Sequence, residues 1–136
     1  MAKKQQKVLT SGFRKTSVAR ATVTKGSGNL VINNQTLDEY NQDMVSQLKI
    51  KEPLVICGEQ DKYDISVNVF GGGKSSQADA IRQAIARGIV EYTNSEDLKD
   101  KFVEYDRTLL VADTRFKETN KPNNSNARAK RQKSYR

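Results

Sequence analysis

Between Asp64 and Tyr92 the chain passes from strict alternation to three consecutive glycines and then to a helical stripe, an order that few folds accept. Ile65, Val67 and Val69 alternate with Asp64, Ser66 and Asn68, the period of a strand with one buried face, which ends at Phe70. Gly71, Gly72 and Gly73 carry no Cβ, so the turn can take positive φ and its N–H groups can come close to another backbone or to an anion. Lys74 follows, and Ser75 or Ser76 can cap a helix. That helix places Ala80, Ile81, Ala84, Ile85 and Ile89 on one face and leaves Arg82 and Arg87 outside the stripe.

A strand, a glycine turn and a Lys-Ser pair before a helix is also the layout of a nucleotide-binding phosphate loop. The pattern G-x-x-x-x-G-K-[ST] needs its first glycine at position 68, and Asn68 stands there. Leu109 to Asp113 imitates the apolar strand and magnesium-binding Asp of such enzymes. The Asp64–Phe70 strand alternates, however, whereas the central strand of a phosphate-loop domain is buried on both faces and reads as a continuous apolar run. A turn used for close packing or for contact with a nucleic-acid phosphate accounts for the same residues, and no catalysis is expected.

The chain has 136 residues, enough for one domain with a modest core. No stretch approaches the roughly 20 apolar residues of a membrane span, and the start lacks the apolar run of a secretory signal. A soluble, cytoplasmic protein is expected, with no small-molecule substrate. Cys57 is the one cysteine and there is no histidine, which excludes an internal disulfide and a Cys/His metal site. Cys57 follows Leu54-Val55-Ile56 and reads as a small buried hydrophobe. No metal and no cofactor are expected.

The formal net charge of +8 is unevenly placed: residues 1–20 and residues 119–136 each carry +6 with no acid, which leaves −4 for the middle. Cations exported to both ends are the pattern of arms that neutralise phosphates. Lys25, Lys49, Lys51 and Lys62, scattered among acids, read as solvated surface charges.

Along the chain, Val8–Thr10 and Ser17–Thr24 read as strands, with Gly12 to Thr16 between them. The turn Gly26-Ser27-Gly28-Asn29 predicts that Leu30–Ile32 pairs back on the second strand, making Ser17–Asn33 a hairpin. Thr36 and Glu39 form a capping box for a helix with Leu37, Tyr40, Met44, Val45 and Leu48 on its apolar face, ending before Pro53. Pro53–Cys57 reads equally as a last helical turn or a strand. Asn94 or Ser95 caps a short helix with Glu96 and Asp97 in its first turn and Leu98 and Phe102 toward the core, and Tyr105–Val111 reads as a closing strand. The expectation is an α+β fold, one mixed sheet with helices on one face. Three segments are expected: a basic arm (1–6), a globular body (7–113) and an extended basic C-terminal tail (114–136).

In the tail Phe116 is the only strongly apolar side chain, too little to offset the entropy of ordering. Arg128, Lys130, Arg131, Lys133 and Arg136 are interleaved with Gln132, Ser134 and Tyr135, a mixture suited to phosphates and to stacking on a base. Fully extended, residues 117–136 reach at most about 65 to 70 Å.

Four motifs in order carry a resemblance over nearly the whole chain: Arg14-Lys15-Thr16-Ser17-Val18-Ala19-Arg20, Gly71-Gly72-Gly73 with Gln77 and Ala80 to Gly88, Tyr105 to Asp113, and Gln132-Lys133-Ser134-Tyr135-Arg136. Together they resemble the ninth small-subunit ribosomal protein family, in its archaeal and eukaryotic branch. The resemblance implies a domain similar to the second domain of the fifth small-subunit ribosomal protein, with a left-handed βαβ crossover. It implies binding to small-subunit ribosomal RNA in the head, beside other head proteins, and a tail that contacts peptidyl-site transfer RNA. By position, Arg136, Tyr135, Ser134 and Lys133 would be the transfer-RNA contacts, and Arg14, Lys15, Arg20, Lys74, Arg82, Arg87, Arg107, Arg115, Arg128, Lys130 and Arg131 would lie against ribosomal RNA. Asn123-Asn124-Ser125-Asn126 stands where relatives have a glycine-rich hinge, and Asn tolerates the positive φ such a bend needs. The alternative is a free basic protein on DNA or messenger RNA.

Overall fold

The computed structural model describes residues 6–135. Among them, five strands form one sheet in the order β1-β2-β5-β3-β4: β1 (Lys7–Arg14), β2 (Ser17–Lys25), β3 (Leu30–Ile32), β4 (Gln35–Thr36) and β5 (Tyr63–Phe70). The β3–β5 pair is parallel and the others are antiparallel, so the sheet is mixed. Four α-helices follow the chain as α1 (Leu37–Tyr40), α2 (Met44–Cys57), α3 (Lys74–Thr93) and α4 (Glu96–Tyr105). Burial alternates along β2 and β5, as expected of a sheet covered on one side: Ala19, Ala21 and Val23 of β2 and Ile65, Val67 and Val69 of β5 face the helices.

The helix α3 supplies Ile81, Ala84, Ile85 and Ile89 to this core, and α4 adds Leu98 and Phe102. It lies directly on β1. A Cβ on Gly12 would sit 2.1 Å from the Ala80 carbonyl oxygen and 2.7 Å from the Ala84 nitrogen. Around this contact the Thr10 hydroxyl donates to the Ala84 carbonyl (2.8 Å), and the Phe13 amide donates to Oε1 of the buried Gln83 (2.8 Å). Gly12 therefore lies within a strand, which runs on to Arg14 instead of stopping at Thr10.

Three further expectations are corrected. β2 and β3 are not a hairpin, because β5 lies between them. The Asp64 Oδ1 accepts the Ser27 amide (2.8 Å) and the Asn29 amide (3.0 Å), so the loop wraps the start of β5 and delivers β3 to its far side. The helix expected from Thr36 is two helices. Its capping box is present on α1, with the Thr36 amide donating to Glu39 Oε2 (3.0 Å), but the chain extends at Asn41 and restarts under an Asp43 cap. Pro53 does not stop α2, whose buried face is Ser46, Ile50, Pro53 and Leu54, while Met44, Val45 and Leu48 are exposed. Residues 53–57 are thus the last helical turn, with Cys57 half-buried and its thiol pushed up by that burial.

Third, Tyr105–Val111 is not a strand. Tyr105 closes α4 and Arg107–Leu109 makes one 3-10 turn, capped by Asp106 from the Thr108 amide (2.9 Å). The Arg87 guanidinium donates to the Leu110 carbonyl (2.8 Å) and to the Ser11 carbonyl (2.9 Å), filling the space where a strand beside β1 would place its own amides. A single parallel bridge, Arg14 to Asp113, remains. The short helix is as expected: Ser95 caps α4, and Asn94 ends α3 in the left-handed region.

Because the space at Gly12 is closed by helix backbone, Gly12→Ala is expected to cost about 1 to 3 kcal/mol or more. Urea unfolding should show a lower midpoint at unchanged slope.

Candidate nucleic-acid interface

Lys15 occupies the two-residue β1–β2 turn at φ 52°, with its side chain exposed. The turn rests on the glycine run. Gly71 (φ 75°) and Gly72 (φ 65°) are left-handed, and a Cβ there would meet the Thr16 carbonyl oxygen at 2.4 Å and Ser17 Oγ at 2.0 Å. The buried Ser17 hydroxyl and the Gln77 amide both donate to the Gly71 carbonyl (3.0 Å each). In this structure the glycines serve to pack two turns together.

The contact brings Lys15 and Lys74 to the same end of the molecule. Lys74 is the first residue of α3, whose N-cap is Gly73 and not either serine; that first turn holds no acidic residue. A 20-residue helix ending there presents unpaired N–H groups and the positive end of its dipole beside a lysine.

The tail leaves from this end as well. Asp113 takes the Arg14 guanidinium at 3.1 Å on one side and Arg115 through paired contacts on the other, at 3.0 Å (Nε) and 2.7 Å (Nη2). Hydrogen bonds from Arg115, reinforced by Arg14, hold the Asp113 carboxyl well below the usual carboxylate range. From Thr114 to Tyr135 the chain forms no helix or strand, and most of its side chains are exposed. Asn123 has φ 64°, the left-handed conformation that the asparagine run tolerates. Arg128 folds back on Glu118 with a two-pronged contact of 3.0 and 2.6 Å. Lys130, Arg131 and Lys133 are exposed and form no ion pair among the described residues; Ser134 and Tyr135 are exposed beside them, and Arg136 lies outside the described residues.

The predicted cations therefore fall into three groups. Lys15, Lys74, Arg107 and the distal tail are open to solvent, as is Arg20, whose Cζ lies 5.6 Å from the Phe70 ring centroid. Arg14, Arg82 and Arg87 are engaged within the chain. Arg82 pairs with Glu52 and with Asp106 (2.9 Å) and is 14% exposed, while Arg14 also faces Asp79 at 3.8 Å. Arg115 and Arg128 are exposed but paired with acids. Asp113 itself was readable from sequence only as an imitation of a magnesium ligand; the signal of its real use is the arginine two positions on.

Taken together, the class of molecule so defined is a small α+β body with cations at one end and a cationic tail rooted at that same end. Residues 12–136 match the sequence family described as Ribosomal protein S9/S16. Two relatives, both described as small ribosomal subunit protein uS9, come from two strains of Methanococcus maripaludis; they are 48% and 47% identical over 132 residues, covering 95% of this chain and 98% of theirs. The chain belongs to the ribosomal protein S9/S16 family.

Asp113→Asn should free Arg115, leave Arg14 facing Asp79 alone and loosen the tail root, so that trypsin cuts after Arg115 faster than in the unaltered protein. The unaltered carboxyl titrates lower when folded than when unfolded, so its stabilisation is present at neutral pH and is lost as pH falls through the acidic range. Acid unfolding of the variant should lack that part of the decline.

Proposed function

We propose that this chain is a constituent of the small ribosomal subunit that binds ribosomal RNA and uses its tail to contact peptidyl-site transfer RNA. The observation that carries the reading is the tail: an exposed run in which Lys130, Arg131 and Lys133 form no ion pair among the described residues, rooted at Asp113 beside the Lys15 and Lys74 end. Family membership and the printed names of the relatives support the ribosomal setting. On this reading residues 1–6 are a basic arm, 7–113 the RNA-bound body and 114–136 the reaching segment, in a cytoplasmic ribosome.

Within the body, Lys15, Arg20, Lys74 and Arg107 are the side chains available for ribosomal-RNA phosphates. Arg14, Arg82 and Arg87 contribute chiefly by holding the surfaces that present those cations, with their outer edges adding to the field. Arg115 and Arg128 would exchange Asp113 and Glu118 for phosphate, and Lys130 and Arg131 would follow the RNA toward the tip. Lys133, Ser134, Tyr135 and Arg136 are the transfer-RNA end. The parallel β3–β5 pair, joined through α1 and α2, is the unit that would form the left-handed crossover.

Affinity for a small-subunit ribosomal RNA transcript should fall linearly on a log–log plot between about 50 and 200 mM salt, because each neutralised phosphate releases counterions. A flat response would remove the electrostatic basis. Deleting residues 134–136 should leave assembly into subunits intact and weaken transfer RNA at the peptidyl site, as read by filter binding. Loss of assembly with unchanged transfer-RNA affinity is the contrary result.

A further inference from the structure

Among the described residues no element covers the sheet face opposite the helices, and that face does not have the uniformly polar make-up of one that merely meets water. On β5 the solvent phase runs Asp64, Ser66, Asn68 and then Phe70, whose ring is 52% exposed. The register aligns Phe70 with Val18 of β2, and Val18 with Phe13 of β1, which is 44% exposed. Two phenyl rings thus flank a valine in one cross-strand row, two strand spacings or about 10 Å apart. In the next row Arg20 lies between Ser11 and Asn68, with its guanidinium over the Phe70 ring.

We propose that this row, Phe13, Val18 and Phe70 with Arg20, is a stacking platform for unpaired nucleobases of RNA. The inference rests on the ribosomal-RNA reading above and adds the part of the body that holds bases in place of phosphates. Aromatic rings and a guanidinium plane are the groups on which splayed bases stack, and a sheet face presents them side by side. The charge of the face suits the ligand: Arg20 forms no ion pair among the described residues, and the carboxylate of Asp64 stands at the far end of β5, about 20 Å along the strand from Phe70. Asn68 beside the rings can reach a base edge. A second apolar patch, Val45, Leu48 and Val55 on α2 near Tyr105, is mainly aliphatic, and its neighbouring cations Lys49 and Arg82 are paired with Asp79 and Glu52.

The test compares the full-length chain with the double variant Phe13→Leu, Phe70→Leu for binding to a small-subunit ribosomal RNA transcript across salt. Both rings are half-exposed, so the variant should keep its fold, checked by circular dichroism. Losing the rings should weaken binding by about tenfold while leaving the slope of affinity against salt unchanged, since no phosphate contact is lost. Ultraviolet irradiation of intact subunits should place nucleotide adducts on peptides holding Phe13 or Phe70. Unchanged affinity of the variant, or a face that cross-links to protein and not to RNA, would overturn the platform while leaving the phosphate contacts of the body and tail in force. If the unaltered chain shows no salt-dependent binding at all, the ribosomal-RNA reading fails first and the platform falls with it.

Discussion

The direct seating of α3 on β1 is the contact from which the rest of this structure follows. With no side chain at Gly12, the helix backbone comes to the strand backbone, and only then can Thr10 reach the Ala84 carbonyl and Gln83 the Phe13 amide. Those bonds satisfy groups that burial would otherwise leave unpaired, at a cost of about 1 to 3 kcal/mol each. The same seating aligns Arg87 with two carbonyls at the β1 edge, which ends the sheet on that side and turns the chain outward as a tail. Fold and reach are in this way consequences of one close approach.

Electrostatics divides the arginines by the same geometry. Those on the packed flank of α3 find acids or carbonyls within the chain, Arg115 and Arg128 find acids at the surface, and Arg20 and Arg131 form no ion pair among the described residues. A half-buried cation such as Arg82 needs a partner because its desolvation is otherwise uncompensated, and Glu52 and Asp106 supply it. Lys15 and Lys74, held at a turn and a helix start, keep their hydration and remain available to a polyanion. Asp113 links the two populations by tying a body arginine to a tail arginine.

Much of this was readable beforehand wherever a local rule governed. The alternation of β5, the glycine turn, the apolar stripe of α3, the Thr36 capping box and the Ser95 cap depend on residues within a few positions of one another. The misreadings share a different cause. Leu30–Ile32 has the pattern of a hairpin partner, but its neighbour is chosen by Asp64, some 35 positions away, through two loop amides. Tyr105–Val111 has strand composition, and it is Arg87, 23 positions from Leu110, that denies it a place on the sheet. Pro53 lies inside α2 with its ring buried in the core, where packing offsets the one hydrogen bond its missing N–H cannot make.

Composition and order of residues were enough to establish a basic α+β chain with its cations concentrated toward the ends of the sequence, since charge and short-range periodicity need no knowledge of distant neighbours. Tertiary structure alone decided which strands are adjacent, which arginines remain free and where the tail is rooted. Each of those outcomes turns on a long-range contact competing with an equally plausible local one, and competition of that kind is resolved only when the whole chain is packed.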